Sequence, residues 1–327
     1  MPPDVAVVIV NYSTPEMAIA AADSVLHRGE DGLSVEVHVV DNGSPGNDRE
    51  VLSEAAARWG GAVTLHLEDE NHGFGRGNNI VLRELAARSQ PPDKVFLLNP
   101  DTRLISNAVA ELAAFLDAHP DVAVVGGGIV DDITLEHAAC AFRFPGVISE
   151  FNESLNFGPL WRLLKRWNVT FPAGSSPFEV DWVSGAAMMA RLSALKEVGF
   201  FDPDYFLYFE EVDLMFRLKK RGWKVWHLPQ AKVSHVAGAS TGVRYVNPER
   251  PPLPGYWFDS WRFYFEKTRS RNGARIAAFS RLAGTVLGNL LCSLRNKPTK
   301  NPQNFASEFR RRVVRPLFGL TSTRPEP

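Results

Sequence analysis

Two adjacent glutamates, Glu210 and Glu211, stand in the run YFLYFEEVD that spans residues 205–213. Their neighbours Phe206, Tyr208 and Phe209 are aromatic, and charge beside so much apolar surface is costly unless it has a partner or a task. Burial raises a carboxyl pKa toward neutrality, where a general base works best. The same residues also suit a plain helix start. Acids are favoured in a first turn, and Phe216 and Leu218 lead on to the basic Lys219, Lys220 and Arg221. His235 follows 24 residues after Glu211, alone in VSHVAGAS. A further carboxylate, Asp101 in Asn99-Pro100-Asp101, closes the apolar run VFLL. A single strand-end carboxylate can hold Mg2+ or Mn2+ while phosphate oxygens and water complete the shell. His235 could add a nitrogen ligand, which suits Mn2+ better than Ca2+. Taken alone, such a histidine is more often structural.

Two polar turns add binding chemistry. Asp41-Asn42-Gly43-Ser44 ends an apolar run, and its carboxylate can accept from a base imide or a ribose hydroxyl, although NGS is also an ordinary turn. The loop NHGFGRGNN, residues 71–79, places three glycines before a helix. Glycine lets backbone approach a ligand, and a helix N-terminus attracts anions. Asn71, Gly75 and Asn78 are the donor-binding candidates there. The spacing is not that of the dinucleotide fingerprint, and the loop follows the third strand rather than the first, which disfavours a dinucleotide enzyme.

These residues need a scaffold, and the first hundred residues alternate strand and helix patterns. Strands are predicted at 6–10, 35–44, 63–67 and 94–101, with helices at 15–26, 49–59 and 77–87. Such alternation predicts an α/β fold with a doubly wound, mostly parallel central sheet and flanking helices. Ligands of such sheets bind beyond the carboxyl ends of the strands, which is where Asn11, Asp41 and the triplet Asn99, Pro100, Asp101 fall. A helix at 107–118 and a glycine-broken strand at 122–130 follow. Residues 131–180 read as an irregular insertion that shapes a pocket. The segment 180–192, VDWVSGAAMMARL, returns to the core.

Length allows one large or two medium domains. With 36 Lys and Arg against 37 Asp and Glu, the whole chain is not a nucleic-acid binder by charge. Two distant cysteines, Cys140 and Cys292, show no metal spacing and fit a reducing cytoplasm. The first residues lack the charged start and long apolar core of a signal peptide. Charge is uneven, however. Residues 262–315 hold thirteen Lys or Arg against only Glu266 and Glu308. That asymmetry points to an anionic partner, a membrane surface or a phosphorylated lipid. Residues 256–267 are dense in aromatics. From 276 to 294, apolar residues at 276, 279, 282, 283, 286, 287, 290, 291 and 294 form a helical stripe. The stretch is too polar for a confident membrane span and reads as a helix lying in the interface; a helix packed on the catalytic domain is the alternative.

In their order, VVIVNY, VVDNGS, NHGFGRGNN, LLNPDTRL, DWVSGAAMMARL, FDPDYFLYFEEVDLMFRLKKRGWKV and VSHVAGAS resemble the inverting glycosyltransferase family 2, with its GT-A fold. The resemblance covers about residues 5–245 and is nearest in look to bacterial rhamnosyltransferases that extend lipid-linked surface glycans. It implies a sugar transferase using Mn2+ or Mg2+, with a dTDP- or UDP-sugar as donor and a glycan or lipid-linked acceptor. It puts Asp101 and His235 on the metal, Asp41 on the nucleotide base and Glu211 in the position of the catalytic base. Two departures stand out. The Asp-x-Asp motif begins here with Asn99, and the base is Glu where the family usually has Asp, one methylene longer. Trp182, Gly185, Ala186 and Glu210 would line the acceptor side.

The expected organisation is a catalytic domain over 1–255, with a nucleotide-binding half 1–105 and an acceptor half 106–255. A basic amphipathic helical tail, 256–327, would hold the protein peripherally on the inner face of a membrane. A homodimer through aromatics such as Trp257 and Trp261 is a second use for that tail. Two other classes fit the residues less well. A sugar nucleotidyltransferase would want a glycine-rich basic loop after the first strand, where this chain has NYSTPEM. A non-catalytic binding protein would not need Asp101, Glu211 and His235 together.

Overall fold

Residues 5–11, VAVVIVN, are all buried, and such two-sided burial marks a strand at the heart of a parallel sheet. The computed structural model describes residues 3–28, 32–132, 134, 136–172, 174–235 and 251–320. Two compact units are distinguished: Met1–Phe142 with Pro172–Phe206 and Glu210–Gly242, and Arg143–Phe171 with Leu207–Phe209 and Val243–Pro327. The second unit thus takes in part of the 131–180 insertion along with the tail.

The first unit is built on one mixed sheet. Its strands are β1 (Val5–Asn11), β2 (Val35–Asn42), β3 (Val63–Glu68), β4 (Lys94–Leu98), β5 (Thr102–Leu104), β6 (Val122–Asp131), β8 (Phe178–Val180), β10 (Ala187–Arg191) and β11 (Lys224–His235). The short β7 (Ala141–Phe142) and β9 (Trp182–Val183) pair with each other. The order β3-β2-β1-β4-β10-β6-β11-β5 begins with four parallel strands. There β10 intervenes, antiparallel to both β4 and β6, and β11 resumes parallel to β6. Helices Pro15–Arg28 and Ala108–Ala118 help close the apolar core, which includes Val25, Leu52, Leu112 and Phe96.

The second unit is helical. The helix Gly255–Leu294 carries a kink at Ser270 (φ 69°). Before the kink Phe258, Trp261, Tyr264 and Phe265 are buried, with Trp261 stacked on Phe265 at 4.2 Å and edge-on to Phe309 at 5.0 Å. Trp261 is therefore core, not the exposed aromatic expected for a dimer surface. After the kink the helix buries its small residues, Ala274, Ala277, Ala278, Gly284, Thr285 and Gly288. A Cβ added at Gly284 would lie 2.5 Å from the Phe151 carbonyl oxygen, and one at Gly288 2.7 Å from that of Leu155. These glycines let the helix lie close against a second one, Val147–Leu155. That helix corrects the expectation of an irregular insertion. It is short, begins after Gly146 and ends at Asn156 in the left-handed region (φ 49°), and it is supported by the long helix, a partner distant in sequence.

The apolar stripe at 276–294 forms a helix face, and much of it turns outward, as a helix lying in an interface requires. Ile276, Phe279, Val286, Leu287, Leu290 and Leu294 are between 45% and 74% exposed. Several tail cations are used internally: Arg271 and Arg275 donate to the Leu317 carbonyl, and Arg281 to Glu150.

Candidate active site

The strand ends of the first unit gather the donor-side candidates. In the parallel register Asn11 faces Asp41, and both are buried. Asn11 Nδ2 donates to Asp41 Oδ1 (3.1 Å) and to Asp48 Oδ1 (3.0 Å). Ser44 Oγ donates to Asp41 Oδ1 at 2.6 Å. The turn is thus a fixed polar floor with a carboxylate held at its centre. Asp48, in the first turn of Asp48–Trp59, is a member that the sequence reading passed over. Its position in a first turn looks like ordinary helix capping, so nothing marked it out.

Asn99 follows β4, and its backbone N–H donates to the Ala186 carbonyl (2.9 Å), tying Gly185-Ala186 to the Asn99-Pro100-Asp101 turn. Thr102 closes that turn by donating its hydroxyl to the Asn99 carbonyl (2.6 Å). β5 then pairs antiparallel with β11, opposing Thr102 to His235. The next residue back, Asp101, therefore meets the histidine, with Asp101 Oδ1 3.1 Å from His235 Nε2. These two residues, 134 apart in sequence, are brought together as expected. An oxygen and an imidazole nitrogen at that separation fit two donors sharing one Mn2+ or Mg2+ ion. Among the described residues no cluster of three such donors forms, so a bound ion would need phosphate oxygens and water for its other positions. Residues 236–240, the end of the histidine motif, lie outside the described residues.

The glycine loop is anchored within the chain on both sides. Asn71 Oδ1 accepts from Gly73 N (2.8 Å) and Asn42 Nδ2 (3.1 Å), which locks the loop to the end of β2. Gly73 has φ 77°, and a Cβ there would collide with the Phe206 carbonyl oxygen, to which Phe74 N donates at 3.2 Å. Gly75 and Asn78 are buried inside the helix Phe74–Ala87, and the Asn78 amide donates back to the Phe74 carbonyl (2.9 Å). Asn79 exchanges two hydrogen bonds with the Phe201 backbone (2.8 and 3.1 Å). The loop therefore acts as a clamp on residues 201–206.

That clamp carries the carboxylates. Gly75 lies under Glu210, where an added Cβ would sit 3.5 Å from the Glu210 Cβ. The Phe74 ring would lie 3.2 Å from a Cβ on Gly185. A chain of contacts thus runs from Asn99 through Ala186, Gly185, Phe74 and Gly75 to Glu210. Glu210 and Glu211 open the helix Glu210–Lys220, as the sequence suggests. The backbone just before it takes positive φ at Tyr208 (69°) and Phe209 (67°), a costly conformation for aromatic residues and one that clusters at functional sites. Arg217 fastens the helix, bonding Asp213 (2.7 Å) and the carbonyls of Val198 and Phe200. The Met215 sulfur accepts from Val183 N at 3.2 Å, next to Trp182, which stacks on Phe142 at 4.1 Å.

The Oε2 atoms of Glu210 and Glu211 are buried, without a hydrogen-bond partner among the described residues. Burial pushes the Glu211 carboxyl up to about 7, against backbone hydrogen bonds that lower it. Burial, and then the neighbouring charge of Glu211, raises Glu210 as well. A carboxylate near neutrality, unpaired and held by a strained turn, can take a proton from a bound hydroxyl.

Known proteins share the family pattern and the fold. The family model described as glycosyltransferase-like family 2 matches residues 2–250. N-acetylglucosaminyl-diphospho-decaprenol L-rhamnosyltransferase of Mycobacterium tuberculosis (strain H37Rv) is 31% identical over 217 residues, covering 64% of this chain and 68% of that protein. Rhamnosyltransferase WbbL of Escherichia coli (strain K12) is 26% identical over 168 residues, covering 51% and 61%. Among solved structures, mannosyltransferase PcManGT from Pyrobaculum calidifontis, in complex with GDP-Man and Mn2+, superposes with a TM-score of 0.55 at 14% identity, over 98% of this chain and 89% of that one. GalNAc-T7 with UDP, GalNAc and Mn2+ gives 0.59 at 15% identity, over 97% of this chain and 58% of that one. Both are GT-A glycosyltransferases, and the expected GT-A fold is the observed one.

Proposed function

The chain belongs to glycosyltransferase family 2, and on that premise we propose that it moves a sugar from a nucleotide donor to a glycan acceptor carried on a polyprenyl diphosphate, inverting the anomeric carbon. Rhamnose from dTDP-rhamnose is the favoured donor, because two relatives are rhamnosyltransferases by name. The observation that carries the reading is the Glu211 carboxyl, its Oε2 buried without a hydrogen-bond partner among the described residues and its pKa pushed up to about 7.

The residues divide the work. Asp41, fixed by Asn11 and Ser44, reads the nucleotide base or ribose. The Asn99-Pro100-Asp101 turn faces the diphosphate, while Asn71, Gly75 and Asn78 hold the clamp. An ion held by Asp101 and His235 would supply positive charge to the departing nucleoside diphosphate. Trp182, Gly185, Ala186 and Glu210 border the acceptor. Glu211 takes the proton of the acceptor hydroxyl as its oxygen bonds to the anomeric carbon from the face opposite the leaving group. The bond to the nucleoside diphosphate breaks in the same displacement, so the product anomer is inverted. The second unit, with its exposed apolar face and basic residues, supports peripheral attachment to the inner face of a membrane. By length and composition its helix Gly255–Leu294 could also cross one.

The test is transfer by the purified protein from a panel of dTDP- and UDP-sugars to a polyprenyl-diphosphate-linked N-acetylglucosamine, with the product anomer read by NMR. Inverted product, made with Mn2+ or Mg2+ and lost in EDTA, supports the reading. A retained anomer overturns the single displacement, and full turnover in EDTA overturns the role given to Asp101 and His235.

A further inference from the structure

In the second unit, a cavity of about 140 Å3 opens where the long helix ends. The turn 156–159 forms one wall and the turn 295–300 the other. Its lining includes the cations Arg295, Lys297 and Lys300, and no carboxylate. Arg295 lies over the Phe157 ring at 4.8 Å, and Lys300 Nζ donates to Asn156 Oδ1 at 3.3 Å. None of the three pairs with a carboxylate among the described residues. Three other tail arginines are paired: Arg281 is held by Glu150, Arg311 by Glu308, and Arg312 by Glu308 and Asp259. At this end of the long helix, three cations without a carboxylate partner instead line one cavity.

A helix C-terminus attracts cations by its dipole, so charge there has an ordinary explanation. That explanation does not reach the cavity between the cations, nor the apolar face that runs up to it. Leu291 lines the cavity, and its neighbours Leu290 and Leu294 are 53% and 74% exposed. Leu163, at the end of the short helix Gly158–Leu163 that follows the turn 156–159, is 75% exposed. Arranged this way, the surface offers a cavity lined by three cations beside a strip of bare hydrocarbon. A soluble anion would have no use for the strip, and a neutral apolar partner none for the charge.

We propose that this cavity takes the phosphate headgroup of an anionic lipid, whose hydrocarbon lies along the exposed face from Leu294 toward Ile276. That face is about 27 Å long at the rise of an α-helix. The proposal deepens the function above, resting on it for the expectation that the protein works at a membrane. A helix lying in the interface with its apolar side down and cations at the headgroup level has this physical form.

The test uses the full chain, phosphatidylcholine vesicles with and without phosphatidylglycerol, and the reactivity of Cys292 toward a maleimide. Cys292 lines the cavity, whereas Cys140 is buried. Vesicles containing phosphatidylglycerol should bind the protein and protect Cys292. Each cation at an anionic surface contributes about fivefold, so R295Q/K297Q/K300Q should weaken binding on the order of 100-fold. R295K/K297R/K300R should keep it. Unchanged binding by the glutamine variant, or equal binding to neutral vesicles, overturns the headgroup site. Protection of Cys292 by inorganic phosphate as complete as by vesicles makes the site one for a soluble anion and overturns the lipid. Absence of vesicle binding, with a dimer that L290N/L294N dissociates, assigns the face to a second copy instead. Nucleotide-sugar binding by the same proteins is read separately by thermal shift. Its loss with vesicle binding intact would count against the transferase reading and leave this one standing.

Discussion

Each unit holds a pair of glutamates, one buried and one half-buried, and the surroundings of the two pairs differ. In the first unit Glu210 and Glu211 open a helix with no cationic side chain paired to either among the described residues, and one oxygen of each is left without a partner. In the second, Glu150 receives the indole N–H of Trp261 (2.9 Å) and the Arg281 guanidinium (2.5 Å). Its helical neighbour Glu153 is pushed up to about 7 by burial and by the charge of Glu150, with Arg281 pulling the other way. Glu153 and Glu211 thus arrive at similar pKa values, both chiefly through burial. A raised pKa does not by itself distinguish a working carboxylate from a structural one. The partners do. A buried charge that is fully hydrogen-bonded holds a structure together, whereas one kept unpaired is a cost retained for some other reason.

The contrast can be broken most directly at Glu211. E211Q should lower kcat by about 10²–10⁴-fold while nucleotide-sugar binding persists, the usual scale for loss of a general base. E150Q and E153Q, if folded, should leave turnover nearly unchanged. Loss of activity in either, or an active E211Q beside an inactive E210Q, would reassign the roles. The wild-type kcat/KM should rise through about pH 7 and level above it, because Glu211 must be ionised to accept a proton.

Next in size is the structural pair. R281M leaves Glu150 buried without its cation, which should cost about 3–5 kcal/mol in chemical denaturation. A change of only a few tenths would mean that Glu150 is held by Trp261 and solvent alone, and the contrast would weaken.

A smaller effect is expected at Asp101 and His235, a pair in the first unit that does meet. D101N and H235A should each weaken Mn2+-dependent nucleotide-sugar binding by about 10–100-fold, measured by calorimetry with and without the metal. Equal losses in the absence of metal would make the contact a simple hydrogen bond.

Least of all, E153Q should stabilise the protein by about 1 kcal/mol at pH 8 and have little effect near pH 4.5. The folded pKa lies above the unfolded one, so the folded state binds the extra proton between about 4.5 and 7 and loses stability as pH rises through that window. Glu153 is partly exposed, which screens the effect. Denaturation at both pH values checks it.

Much of this site was legible in the sequence because strand ends announce themselves. Apolar runs that stop at Asn11, Asp41 and Asn99 fix which polar residues share an edge. The acid-first, base-last helix from Glu210 was readable by the same logic. The pairing of Asp101 with His235 followed from the family resemblance, and its physical cause, the three-residue β5, was too short to leave a pattern. The glycine loop has a second use that its spacing did not announce: Gly73 and Gly75 make room for Phe206 and Glu210 of the same chain. The tail stripe was legible as an outward face, but the small residues on the other side, such as Ala277 and Gly284, gave no sign that they would find a helical partner.

The position of β10 has a consequence for how the chain is made. β4 emerges early in synthesis, but the strand that fills its free edge, Ala187–Arg191, comes long after. β6 waits for the same strand, and β5 waits for the end of β11. At about 5–20 residues per second, a nascent chain carries an open, apolar sheet edge for several seconds. An amino-terminal fragment ending near residue 105 would carry it permanently, and such edges invite pairing with other chains. The nucleotide-binding half is therefore expected to aggregate when expressed alone, and ribosome-bound chaperones should engage this protein until residue 191 has cleared the exit tunnel.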